Sequence, residues 1–339
     1  MARAYSGREW SAIVGIANND TSGGKVGEAT QDANHVNLSK VLMRVDTLNM
    51  FDYSASYQRA EVSRAGVRAL RAEDIINHYG SGTWTWDFDW LVDNEKGIQN
   101  LLELMYPNHG GTITTSMVYP AVPTVNDLAH GETTETVSKL AFIILQNPLA
   151  TRDHYMHSAN LNSLTLTMDS GTDGGRLRAS GQFMTGYKPL IEANTVGADT
   201  GAADYAKGLF DCTTSTFGGD AAIVKDFSIT ISNPATRVGW QGTSGETDGY
   251  SRGGAFSITG SITMKSDSLQ QINDDTFWKA NTTAALVLGE GTSLDFNLPA
   301  VNVSNISLDM AEEGIFQTVD FTATSGADAG GNLAVIKAT

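Results

Sequence analysis

A mainly β fold made by tandem duplication, each unit carrying one flanking helix, is predicted by three observations. The first is composition: 35 Gly, 7 Pro and only 18% charged residues suit many short strands joined by Gly-rich turns. The second is alternation of apolar and polar residues in Thr83–Val92 (TWTWDFDWLV) and Ala255–Met264 (AFSITGSITM). The third is that each alternating stretch runs into an acidic cap and a short helical pattern, once within Gly82–Tyr106 and again within Gly254–Lys279.

In the first stretch Trp84, Trp86, Phe88, Trp90 and Val92 fall on one side, with Thr83, Thr85, Asp87 and Asp89 on the other. The second repeats the rule, with Phe256, Ile258, Ile262 and Met264 inside and Ser257, Thr259, Ser261 and Thr263 outside. Period-two alternation marks a half-buried strand in an antiparallel sheet. Asp93 and Asp267 are the capping candidates for the helices that follow. Ile98, Leu101, Leu102 and Met105, then Leu269, Ile272, Phe277 and Trp278, lay an apolar stripe over each sheet, and Pro107 ends the first helix.

The likeness between the halves continues at their ends. Leu161–Gly186 is matched by Val301–Gly326, each an alternating strand, a turn, a second strand and a terminal Thr/Ser-Gly. Upstream, Val45–Ser56 precedes the first strand-helix unit as Val224–Asn233 precedes the second, and LAFIIL at 140–145 corresponds to AALVL at 284–288. Gly110–His130 reads as an insertion in the first half. The expected organisation is an N-terminal arm over residues 1–40, a first domain over 41–187, a Gly- and Ala-rich linker over 188–222 and a second domain over 223–339.

Each half also has a long connection at the same place. Tyr57–Tyr79 carries Arg59, Arg64, Arg68 and Arg71, and Pro234–Gly253 carries Arg237, Trp240 and Arg252. Loops of this length in compact domains are usually functional or ordered by a partner. A short amphipathic helix over Val67–Asn77 is the alternative for the first.

The net charge of −16 speaks against sequence-independent binding to a phosphate backbone, which needs clustered Lys and Arg. Cys212 is the only cysteine, so no intrachain disulfide is possible. MARAYSGREW lacks a signal-peptide core and no run approaches ~18 apolar residues, so the expectation is a soluble protein made in the cytoplasm, without a membrane partner.

No GxSxG, HExxH, P-loop or CxxC pattern occurs, and the expectation is a protein that is not an enzyme and has no cofactor. Asp153, His154 and His157 in RDHYMH lack a further clustered ligand and are read as a loop after Pro148, not as a metal site.

With these features in hand, the chain resembles bacteriophage major tail tube proteins. The resemblance rests on GTWTWDFDWLVDNEKGIQNLLELMY and GGAFSITGSITMKSDSLQQINDDTFW, and on the closing hairpins around LTLTMDSG, RLRASGQFMTG and ISLDMAEEGIFQTVDFTATSG, covering roughly residues 41–326. It implies a β-sandwich or half-barrel unit with a flanking helix that forms a ring-shaped β-barrel on oligomerisation, polymerised as stacked rings around a lumen. Single-unit relatives form hexameric rings, so two units per chain imply a trimeric, pseudo-hexameric ring.

The same resemblance implies a virion protein assembled in the host cytoplasm. Its partners would be other copies of itself, a tape-measure protein, and tail-tip or baseplate and tail-terminator proteins, with double-stranded DNA passing through without specific binding. The N-terminal arm and the two Arg-containing loops would make contacts between rings. Thr85, Asp87, Asp89, Thr259, Ser261, Thr263, Ser307 and Asp309 are the candidates for the lumen wall, because hydroxyls and carboxylates keep a polyanion from binding. A tandem β-sandwich adhesin is the alternative function, and a contractile or secretion-system tube is the nearest relative of the first reading.

Overall fold

Strands dominate because alternating and continuous apolar runs outnumber helical ones. The computed structural model describes residues 10–18, 40–46, 48–51, 57–61, 75–79, 83–105, 116–120, 129–130, 139–148, 152–192, 205–238, 247, 249–266, 282–289, 293–311, 314–324 and 332–338. The first half contributes β1 (Ser11–Asn18), β2 (Lys40–Met43), β3 (Tyr57–Glu61), β4 (Ile75–Tyr79), β5 (Trp84–Leu91), helix α1 (Glu95–Met105), β6 (Ser116–Pro120), β7 (Ala129–His130), β8 (Lys139–Gln146), β9 (Asp153–Asp169), β10 (Arg178–Thr185) and β11 (Leu190–Glu192). The second contributes β12 (Thr214–Phe217), β13 (Asp220–Ala221), β14 (Val224–Ser232), β15 (Ala235–Val238), β16 (Gly249–Arg252), β17 (Ser257–Lys265), β18 (Thr283–Gly289), β19 (Leu294–Ala311), β20 (Gly314–Ala323) and β21 (Asn332–Ala338).

Sixteen of these strands form one sheet, whose pairings run in the same order in both halves. The first half reads β2-β1-β8-β9-β10-β5, and Val45 then bridges to Trp90. The second reads β13-β12-β18-β19-β20-β17-β14. Register agrees as well as order: Arg178 faces Thr167 on the first hairpin, and Thr318 faces Ser307 at the matching place on the second. β11 and β21 each add to the N-terminal part of the long strand, β9 or β19. The halves meet where β14 pairs with β9.

Several elements differ from the sequence reading. Ser11–Asn18, inside the stretch read as an arm, is a strand between β2 and β8, with Ala12–Ile16 buried. β12 and β13 lie in the stretch read as a linker and extend the second half's sheet. Asp153–His157, read as a loop, begins β9; burial there is nearly continuous, so the strand shows no alternation. The Tyr57–Tyr79 connection is held at its base by the antiparallel pair β3–β4, which places Ile75–Asn77 in a strand and not in a helix. The insertion crosses to the other half: β6 pairs with β21 and β7 with β16.

Helix α1 packs against the apolar face of the sheet. Its N-cap is Asn94, whose Oδ1 accepts the Gly97 N–H at 3.1 Å. The expected cap, Asp93, instead accepts the Trp90 Nε1–H at 3.1 Å. Ile98, Leu101, Leu102 and Met105 are buried as their spacing predicts. The second half ties the helix down, as Gln99 Nε2 donates to the Ala338 carbonyl at 2.7 Å and Asn233 Nδ2 to the Met105 carbonyl at 3.1 Å. The matching second helix over 267–278, and Asp267, Leu269, Ile272, Phe277 and Trp278, lie outside the described residues.

Candidate functional site

Cross-strand pairing decides which residues share a face, since directly opposed side chains project to the same side. Starting from Asp89, the ladder runs through Ser180, Thr165, Thr230 and Thr259 to Thr322. The neighbouring row runs Arg178, Thr167, Ser228, Ser261, Asp320 and Asn305, and the next joins Asp169, Asp226, Thr263, Thr318 and Ser307. Both halves therefore contribute to one continuous polar face across seven strands, β5, β10, β9, β14, β17, β20 and β19. The opposite face is core over most of these strands, with Trp86, Phe183, Leu166, Ile229, Ile262 and Val319 buried, and turns exposed at Leu308 and Met310 of β19.

All eight residues singled out as wall candidates lie on that polar face. Thr85, Asp87, Asp89, Thr259, Ser307 and Asp309 are exposed, and Ser261 is half-buried. Thr263 is almost covered because its hydroxyl shares a 2.9 Å hydrogen bond with Thr318, and Thr165 pairs with Thr230 in the same way at 2.9 Å. Ser163, Ser180, Gln182, Thr230, Asp320 and Thr322 belong to the same surface. The alternation in their own strands would have identified them too.

Electrostatically the face is acidic on balance: Asp87, Asp89, Asp226, Asp309 and Asp320 project from it, against Lys265 at the end of β17 and Lys225, whose Nζ lies 4.6 Å over the Phe316 ring. Its one arginine, Arg178, is held by Asp46, by Asp89 at 3.2 Å and by Asp173 at 3.4 Å. That ion-paired guanidinium offers little to a phosphate. Asp169, at the β9–β10 turn, has its pKa held below the ordinary carboxylate value by the Gly171 N–H and the Thr172 hydroxyl.

The loop candidates are only partly placed. Arg59 lies on β3, Arg237 on β15 and Arg252 on β16. Arg237 is half-buried opposite Tyr250, and its pKa is lowered by that burial. Arg64, Arg68, Arg71 and Trp240 lie outside the described residues.

The histidine run does not converge. His157 is buried with its ring 5.2 Å from that of Tyr187, and His154 meets Trp10 edge-on at 5.4 Å. Among the described residues no group of His, Cys, Asp and Glu is arranged to hold a metal. Cys212 is half-buried and its thiol lies 3.6 Å from the Gly208 carbonyl.

A family model for phage tail tube proteins matches residues 49–331, which takes in the strands of the polar face and both helical patterns. The chain belongs to the phage tail tube protein family. A comparison with curated proteins gives no match. Membership makes this tail tube protein a structural component of the virion tail, self-assembling with other tail parts. The large antiparallel sheet is the mainly β architecture expected of it.

Proposed function

We propose that the chain is the major tail tube subunit, polymerising into stacked rings whose bore conducts phage DNA during ejection. The observation that carries this reading is the continuous acidic and hydroxyl-rich face spanning both halves. Set around a bore, such a wall repels a polyanion, because its aspartates outnumber its cations Arg178, Lys225 and Lys265. Thr85, Asp87, Asp89, Thr259, Ser261, Thr263, Ser307 and Asp309 then line the lumen. A tape-measure protein occupies that lumen during assembly in the host cytoplasm, and tip or baseplate and terminator proteins close its ends.

The matched order of pairings in the two halves supports two tail-tube units per chain, centred on 41–187 and 223–339. Pairing adds β1 to the first and β12–β13 to the second. Three chains then make a ring of six units. The hairpins β3–β4 and β15–β16, at equivalent places, carry the contacts between rings.

The wall assignment is tested by Asp87→Lys combined with Thr259→Lys, since neither side chain holds Arg178. Tubes of normal appearance with slowed DNA delivery are the expected result. Unchanged infectivity in assembled particles would contradict a lumenal position for these residues.

A further inference from the structure

Among the described residues two strand edges have no neighbour, and the junction inside the chain shows what would close them. Ser163–Asp169 of β9 is flanked by β10 on one side and β14 on the other. The matching residues of β19, from Val303 to Asp309, are flanked by β20 alone among the described residues, because β18 pairs only as far as Asn302. Burial records the difference. Met168, opposite Phe227, is 1% exposed, whereas its counterpart Leu308 is 66% exposed and Met310 beyond it 82%.

The complementary edge lies in the first half. Ala179 faces Trp90 and its counterpart Val319 faces Ile262, so Trp90 and Ile262 are equivalent. Phe227 of β14 pairs with Ile262, and Val45 bridges to Trp90, so Val45 stands where Phe227 stands in the second half. The Asp46 N–H donates to the Asp89 carbonyl at 3.2 Å, an arrangement that turns the N–H and C=O of Val45 away from β5. Nearby Met50 is 46% exposed.

We propose that β19 of one copy pairs antiparallel with residues 44–46 of a second copy, in the register of the β9–β14 junction. Carrying that register across sets Val45 opposite Leu308 of the second copy, Asp46 opposite its Ser307 and Arg44 opposite its Asp309. Leu308 then gains the cover that Phe227 gives Met168, and Arg44, 3.6 Å from Asp93 of its own chain, meets a second carboxylate. The contact is head-to-tail, because each copy offers one edge of each kind, and it repeats until the ring closes. It also removes two open edges that would otherwise invite irregular pairing. The occupant, a second copy, rests on the tube reading; the register rests on the internal junction.

Disulfide trapping tests it in the full chain, in a Cys212→Ser background. Directly opposed residues in an antiparallel pair bring Cα atoms to about 4.5–5.5 Å, within disulfide range. Val45→Cys chains mixed with Leu308→Cys chains and treated with copper–phenanthroline should give a covalent dimer and nothing larger. The double variant should give a ladder ending at the ring number. Arg44→Asp should weaken ring formation at least tenfold, and Asp309→Arg added to it should restore assembly. Normal tubes by electron microscopy without cross-links, or without charge-swap rescue, would overturn this register while leaving the tube reading intact. Failure to assemble under any condition, with no cross-links, would overturn both.

Discussion

Gly260 on β17 stands directly opposite Phe321 on β20, and the phenyl ring occupies the space a side chain at 260 would need. A Cβ there would lie 2.6 Å from Phe321 Cζ and 2.3 Å from the Ser228 carbonyl oxygen. The first half holds the same pair reversed, with Phe88 on β5 opposite Gly181 on β10. A Cβ on Gly181 would lie 2.3 Å from the Ser163 carbonyl oxygen and 3.0 Å from the Phe88 ring. One large and one absent side chain fill each equivalent site, and the two halves divide them oppositely.

Gly260→Ala and Gly181→Ala should therefore each destabilise the chain by about 1–3 kcal/mol, the usual range for overpacking. Because a backbone carbonyl is among the blocking atoms, adding Phe321→Ala should not rescue Gly260→Ala. Chemical denaturation checks this, and a Gly260→Ala protein as stable as the parent would refute the close approach.

Helix α1 depends on Asn94 for its first turn. Asn94→Ala should lower stability by about 1 kcal/mol through loss of the N-cap. Asp93→Asn retains an acceptor for Trp90 and should change stability less. Thermal unfolding of the two variants side by side separates the roles, and the reverse ranking would return the cap to Asp93.

Tyr250 anchors the β15–β16 hairpin to the first half. Its buried hydroxyl donates to the Ser158 carbonyl at 2.7 Å and accepts the Gly186 N–H at 2.9 Å. Burial pushes its pKa well above the ordinary tyrosine value, so it stays neutral. Tyr250→Phe leaves those backbone groups without that partner and should cost about 1–3 kcal/mol. Hydrogen exchange at Gly186 should quicken in the variant; unchanged protection would contradict the tether.

Asp153 gives the chain a pH dependence. Burial raises its pKa from the ordinary 3.8, partly offset by the Asn147 N–H and by His154. A raised native pKa means the folded state binds more protons just above 3.8, so this residue's contribution falls as pH rises through that window. Asp153→Asn should remove the loss: the variant's advantage over the parent should grow from acidic pH toward neutrality. A stability difference that is flat with pH would exclude Asp153 as its source.

How much the sequence disclosed follows from burial on one side or two. β5 and β17 were legible because one face meets the core and the other water, which writes alternation into TWTWDFDW and SITGSITM. The start of β9 was not, because HYMHSAN is covered on both faces and reads as no pattern at all. β1 was hidden for the same reason, as Ala12–Ile16 are buried without a break. Alternation put the wall candidates on the polar side of their strands and the family resemblance pointed to a wall, but their sharing of a single face needed the pairing of β9 with β14. Neither could the crossing of β6 to β21 be read, since it joins residues that only the fold brings together.

A ring of duplicated tube units should be visible by electron microscopy of the purified protein at high concentration, with its natural assembly initiator. Hollow tubes whose end-on views show three chains as six similar lobes around a bore are the expected result. Monodisperse particles without a bore under those conditions would contradict it.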